Sequence, residues 1–198
     1  MSMQIYDEVR RHGEEIYPHE CCGVLLGHFL NEEGRPVNEV EDAIRAGNTR
    51  TDSAHNRYHI APQELVRIQR QGRERGLDIV GFYHSHPDHP ARWSPTDFAE
   101  AHWLGCSYVI TAVEHGAARQ TNSFRLAGTR EEDKSFEDES IEVTGQLDPG
   151  LPPQQAKTEL AGDPGPPPRQ AKAELAGDPG REPRPGRELA QSSPFAAQ

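Results

Sequence analysis

Near the start of the chain, Ile5, Val9 and Ile16 recur at helical spacing with charged positions between them. This predicts an amphipathic helix over 2–15, ending near Gly13. Pro18 and His19 interrupt the pattern, and Cys22-Gly23-Val24-Leu25-Leu26-Gly27 follows as a short, continuously apolar strand. Asn31-Glu32-Glu33-Gly34 is a turn signal, and 37–44 is expected to be a further strand. Residues 46–57 are polar and loop-like, and His55 and His59, in or near that stretch, read as solvated. Pro62 marks a helix start, Leu65, Val66, Ile68 and Gln69 supply a buried stripe up to about Arg75, and Gly76 closes it. Residues 76–82 are an apolar run, read as a buried strand that continues towards His84 and His86. Ser94, Pro95 and Asp97 form a helix start, and that helix is expected to run through Phe98, Ala101 and His102 to about Trp103. Strands over 108–113 and 120–126 flank a turn at 114–117, and 135–144 is expected to add an edge strand through Ile141 and Val143. Helices lying between sheet segments predict a single α/β domain with a mixed sheet.

The pattern ends near Gly145. There Gln155-Ala156-Lys157-Thr158-Glu159-Leu160-Ala161-Gly162-Asp163-Pro164-Gly165 recurs 15 residues later as Gln170-Ala171-Lys172-Ala173-Glu174-Leu175-Ala176-Gly177-Asp178-Pro179-Gly180. A fragment, Arg187-Glu188-Leu189-Ala190, echoes it. Each unit carries essentially one large apolar residue, too little burial to offset its ordering entropy. The reading is a folded domain over 1–143 and a Pro/Gly-rich, disordered tail over 144–198, a linker in preference to a partner-binding repeat.

Composition agrees with that division: only 33% of the 198 residues are hydrophobic, with 18 Gly and 17 Pro. The net charge of −11 lies almost wholly in the first 143 residues. An acidic domain argues against nucleic acid or an anionic membrane as partner and suits a partner with a basic face. The N-terminus has no charged segment followed by an apolar run, and no stretch approaches the ~20 apolar residues of a membrane span, so a cytoplasmic protein is expected. Cys21, Cys22 and Cys106 are an odd set without paired spacing, which predicts no disulfide framework. Cys21 and Cys22 would point to opposite faces of a strand, and no nearby base marks either as a nucleophile.

The chemistry concentrates in Tyr83-His84-Ser85-His86-Pro87-Asp88-His89-Pro90-Ala91-Arg92-Trp93-Ser94-Pro95-Thr96-Asp97. On a strand His84 and His86 project to the same side, and a helix start brings Asp97 towards them. Two imidazoles and a carboxylate make a three-ligand metal site with one position open, which suits zinc, water activation and carbonyl polarisation. Ser94 lies where its hydroxyl can stabilise an oxyanion, and a carboxylate from elsewhere must act as general base. Capping and ligation compete at Asp97, because a carboxylate on the metal is not expected to reach back to the cap as well.

His-Ser-His, seven residues, Ser, two residues, Asp resembles the signature of the JAMM metallopeptidases, also called MPN-plus or Mov34/PAD-1. The segment Pro18-His19-Glu20-Cys21-Cys22-Gly23-Val24-Leu25-Leu26-Gly27 is similar to that family's first segment. The resemblance covers 1–143 and implies that His84, His86 and Asp97 are zinc ligands, Ser94 the oxyanion-stabilising serine and Glu20 the general base. It implies a cytidine-deaminase-like mixed sheet flanked by helices, and hydrolysis of amide or isopeptide bonds at the C-terminus of a ubiquitin-like protein. The compact interval after Asp97 and the run His-Ser-His-Pro-Asp-His-Pro-Ala are most similar to the bacterial branch. That branch includes CysO–cysteine-type peptidases, which cut cysteine from the C-terminal glycine of a ThiS/MoaD-like sulfur-carrier protein.

Other classes fit less well. A zinc nucleobase deaminase needs His-x-Glu followed by Pro-Cys-x-x-Cys, and a serine hydrolase on Ser85 or Ser94 needs a Gly-x-Ser-x-Gly elbow; the chain has neither. A non-catalytic MPN scaffold or binding module is the remaining alternative, and relatives of that kind generally lack the ligands.

Overall fold

The computed structural model describes residues 1–48 and 58–145, so the repeated tail and His55 lie outside the described residues. Among the described residues there are three α-helices and a six-stranded mixed sheet. The elements are α1 (Met3–Ile16), β1 (Cys22–Glu32), β2 (Arg35–Ala46), α2 (Pro62–Glu74), β3 (Asp78–Pro87), α3 (Pro95–Glu100), β4 (Ser107–Glu114), β5 (Ala117–Ala127) and β6 (Ser135–Glu139). Their order in the sheet is β2-β1-β3-β4-β5-β6.

Every neighbouring pair is antiparallel except β3 and β4, which run parallel. Parallel neighbours cannot be joined by a hairpin, so the chain must cross from the end of β3 back to the start of β4. That crossover carries α3, and it delivers the Ser94–Asp97 turn to the strand end that bears His84 and His86. α1 packs on one face through Val9 against Cys21, Leu25, Val80, Tyr83 and Val109. α2, through Ile68, and Phe98 of α3 close the other face over Cys22, Val24, Leu26, Phe82 and Tyr108. Cys21 and Cys22 therefore do face opposite sides, and both are buried.

Several boundaries differ from expectation for identifiable reasons. α1 runs through Gly13 instead of ending there. A Cβ on Gly13 would lie 3.0 Å from Val113 Cγ2 and 3.2 Å from Ser85 Cβ, so this glycine permits close helix–sheet approach and is not a stop. Val66 is 64% exposed; the face turned to the sheet is that of Leu65, Ile68 and Gly72, the true helical spacing. β1 continues to Glu32, and Glu33 (φ 52°) with Gly34 (φ 85°) close a two-residue hairpin into β2 with both residues left-handed. α3 stops at Glu100 because Ala101 turns extended, which lets Trp103 pack on Phe82 with ring centroids 5.5 Å apart. β6 ends at Glu139, and Ile141 leaves the sheet to join the cluster under α1. Thr144, the first residue of the expected tail, exchanges backbone hydrogen bonds of 2.9 Å with Met1 and Met3.

Candidate metal centre

The strand register sets the site. β3 is central, and its last residues carry alternating side chains that are buried on both faces. His84 and His86 face one side, while Ser85 between them faces α1. Ser85 Oγ accepts from Cys21 N at 2.9 Å, and Ser85 N donates to Cys21 O at 3.2 Å. The histidine strand and the segment bearing Glu20 are thereby tied together directly beside the ligands.

The crossover supplies the third group. Ser94 caps α3, with Oγ accepting from Asp97 N at 3.2 Å, and Asp97 Oδ2 accepts in return from Ser94 N at 2.6 Å. This capping box does not exclude ligation, contrary to expectation. The same carboxylate lies 3.5 Å from His84 Nε2 through Oδ1 and 3.5 Å from His86 Nε2 through Oδ2. A carboxylate has two oxygens and about four lone-pair directions, so the cap orients it through Oδ2 and leaves Oδ1 facing His84.

His84 Nε2 and His86 Nε2 are 3.1 Å apart. Zinc–ligand bonds of about 2.0–2.1 Å at tetrahedral angles separate ligand atoms by about 3.3 Å, so the three groups stand at the spacing a tetrahedral zinc requires. His86 Nδ1 donates to the carbonyl of Pro90 at 2.9 Å, which places the ring proton on Nδ1 and leaves the Nε2 lone pair facing the site. His84 is stacked on Tyr58, with centroids 4.6 Å apart. Among the described residues, His84 Nδ1 and Glu20 Oε2 are buried without a hydrogen-bond partner. The same three residues form the cluster of potential metal-binding side chains found there. The donor set of two imidazoles and one carboxylate therefore fits zinc on geometry and chemistry alike.

Electrostatics divide the two carboxylates. Burial pushes Glu20, 4% exposed, up to about 8; nearby Asp97 and Glu100 add to this, and His86 opposes it. Burial also acts on Asp97, but the neighbouring His86 and His84 rings and the hydrogen bond from Ser94 N hold it well below the usual carboxylate range. Burial lowers His84 to about 3, so its ring is neutral, whereas contact with Asp97 and Pro90 outweighs burial and raises His86. The two carboxylates thus differ: Asp97 is held ionised, whereas Glu20 favours its protonated form. Burial pushes the Cys21 thiol up to about 12 and raises Cys22 further, which suits inert core thiols.

All five expected site residues thus gather at the β3 end, with Ser94 part-buried at the rim. Sequence reasoning missed Tyr58, whose contact with His84 has no sequence signal, and the tethering role of Ser85, weighed only as a nucleophile.

Residues 2–127 match the family of prokaryotic homologues of the JAB domain. A desampylase from Haloferax volcanii is 36% identical over 100 residues, 49% of this chain and 65% of that protein. A probable TtuB-protein conjugate cleaving protease from Thermus thermophilus is 31% identical over 110 residues, 56% of this chain and 67% of that protein. The chain thus spans about two thirds of the length of each of these relatives. A solution structure of a Salinibacter ruber protein superposes with a TM-score of 0.53 at 39% identity, covering 77% of this chain and 95% of the other. One from Desulfitobacterium hafniense, at 24% identity, shares the fold, with a TM-score of 0.58 over 74% of this chain and 92% of the other. With the family match running over most of the chain and its motif residues assembled at one strand end, the chain belongs to the JAMM/MPN family, among its prokaryotic JAB-domain members.

Proposed function

We propose that this chain is a zinc-dependent peptidase that hydrolyses the amide or isopeptide bond after the C-terminal glycine of a ubiquitin-like protein. The observation that carries this reading is the convergence of His84 Nε2, His86 Nε2 and Asp97 beside a buried Glu20 carboxyl whose Oε2 has no hydrogen-bond partner. His84, His86 and Asp97 would hold zinc, which supplies a lowered water pKa of about 7 and polarisation of the scissile carbonyl. Glu20, ionised beside the bound cation, takes a proton from the attacking water and returns it to the departing amine. Ser94 Oγ accepts the cap bond from Asp97 N and keeps its own proton to donate to the developing oxyanion.

The likeness to a desampylase and to a probable TtuB-protein conjugate cleaving protease supports a ubiquitin-like substrate. Only 101–106 lie between α3 and β4, which leaves no room there for a substrate-holding insertion. A di-glycine terminus suits such a site, because a chain without side chains approaches closely. Within this class we assign a ThiS/MoaD-like sulfur carrier as the partner, with cysteine as the released group. The three buried free thiols suit a reducing cytoplasm.

The test is intact-mass analysis of two substrates: a sulfur carrier with cysteine after Gly-Gly, and the same carrier joined to a lysine amine. Zinc-loaded protein is expected to cleave at the glycine, while the chelated protein and Glu20→Gln do not. Loss of one cysteine mass assigns the cysteine-releasing reaction; cleavage of the lysine conjugate alone moves the substrate to protein conjugates. Undiminished cleavage after metal removal, or by Glu20→Gln, overturns the mechanism. Zinc analysis of His84→Ala and Asp97→Ala checks the ligands, and full occupancy in both would show the assignment to be wrong.

A further inference from the structure

His86 is oriented by a backbone carbonyl, and that carbonyl sits in a loop with its own anchor two strands away. Pro90 O accepts from His86 Nδ1 at 2.9 Å and also from Arg92 N at 2.8 Å. The next carbonyl, Ala91 O, accepts at 2.8 Å from Asn122 Nδ2 on β5. Gln120 Nε2 donates to Asn122 Oδ1 at 3.3 Å, which sets the amide so that its NH2 faces the loop. The Ala91 side chain is fully buried among Ile110, Ala112 and Phe124, so the loop is plugged into the β4–β5 face at the point where Asn122 holds it. At the loop's other end, Asp88 donates its N–H to Val113 O at 2.8 Å while its carboxylate accepts from Tyr17 Oη and His115 N.

We infer that Asn122 is a positioning residue for His86: by holding Ala91 O it fixes the Pro90 carbonyl, and that carbonyl keeps the ring proton on Nδ1 and the lone pair on Nε2. This rests on the metal-site reading for its consequence, though not for its geometry. A carbonyl oxygen only accepts, so a ring nitrogen bonded to it must carry the proton. If Asn122 lets go, the Pro90 carbonyl shifts, the Nδ1 bond lengthens, and the proton can relocate to Nε2, where it blocks ligation. Bonds of this outer kind are commonly worth about 10–100-fold in metal affinity.

The experiment uses the full chain with Asn122→Asp, which keeps the volume and removes the donor, and Asn122→Ala. Gln120→Ala, which only frees the amide to turn, gives a milder version of the same change. In metal-free protein at alkaline pH, ring nitrogen–proton NMR is expected to show wild-type His86 as the Nδ1–H tautomer and the Asn122 variants as a mixture with Nε2–H. Zinc affinity by chelator competition is expected to fall about 10–100-fold in the same variants. Arg119→Ala, exposed on the same strand, should move neither readout. Variants with a lowered melting temperature but an unchanged tautomer and unchanged zinc affinity would make Asn122 a stability residue only and overturn the inference. If the wild-type chain itself binds no zinc, the proposed function falls, and the tautomer measurement still decides the role of Asn122.

Discussion

Glu20 and His84 are buried titratable groups whose pKa values move in opposite directions, so their effects on stability have opposite signs. For Glu20 the folded value of about 8 lies above the ordinary 4.5, so folding favours the protonated form. That contribution is complete below pH 4.5 and is lost as pH rises through 8. Metal-free Glu20→Gln is therefore expected to be more stable than metal-free wild type at and above pH 8, with the difference disappearing near 4.5. The slope between these limits is at most about 1.4 kcal/mol per pH unit, measurable as a shift in urea midpoint. In the zinc-loaded enzyme the same variant is expected to lose about 10²–10⁴-fold in turnover. Burial holds His84 near 3 and His12, whose Nδ1 meets Tyr83 Oη at 2.9 Å, near 4. Both lie below 6.5, so their stabilisation is present above that pH and is lost as pH falls through the folded values. His12→Gln is expected to flatten the acid limb of metal-free stability between pH 6.5 and 4 while leaving zinc stoichiometry unchanged.

At the scale of elements, α3 is six residues long, too short to persist without its cap and its packing. Ser94 serves both the cap and the proposed oxyanion contact, and glycine separates these two roles. Glycine at a helix N-cap costs only a few tenths of a kcal/mol relative to serine but has no hydroxyl to donate. Ser94→Gly is therefore expected to keep its fold and zinc while kcat falls about 10²–10³-fold; an unchanged kcat would remove Ser94 from the oxyanion role. The hairpin of β1 and β2 depends on a register shift at Leu26/Gly27. A Cβ on Gly27 would fall 1.8 Å from the backbone carbonyl oxygen of Glu39, and no rotamer change relieves a backbone clash. Gly27→Ala is expected to destabilise by about 3 kcal/mol, read from denaturant midpoints.

At the scale of the molecule, the site joins the segment before β1, the end of β3 and the β3–β4 crossover, so ligand binding should stabilise the fold as a whole. Zinc at about a thousandfold its Kd is expected to add about 4 kcal/mol, seen as a rise in Tm of roughly 10 °C. His84→Ala should abolish that rise. We propose that the catalytic unit ends just past Thr144, whose bonds to Met1 and Met3 close it. A chain cut after Gly145 is expected to keep zinc affinity and turnover, whereas a cut before Ser135 removes β6 and should not.

Much of this was legible along the chain because its signals are local. Alternation in a strand set His84 and His86 on one side, Ser94-Pro95 announced a helix start, and Gly76 announced a helix end; each depends only on neighbouring backbone conformation. The spacing of His84, His86, Ser94 and Asp97 carried the resemblance to the family for the same reason, whereas Glu20, far upstream, entered only through that resemblance. Other features depend on what lies across the fold. Glycine breaks isolated helices, so Gly13 reads as a stop along the chain, yet it is the point at which α1 touches Val113 and Ser85. Along the chain Asp97 reads as a choice between cap and ligand; only the fold shows the cap at Oδ2 and the other oxygen, Oδ1, turned to His84. Tyr58 against His84, and Asn122 beneath the Pro90 loop, join residues far apart in sequence through packing and parallel-strand topology. No periodicity along the chain encodes such contacts, because they exist only once the sheet has formed.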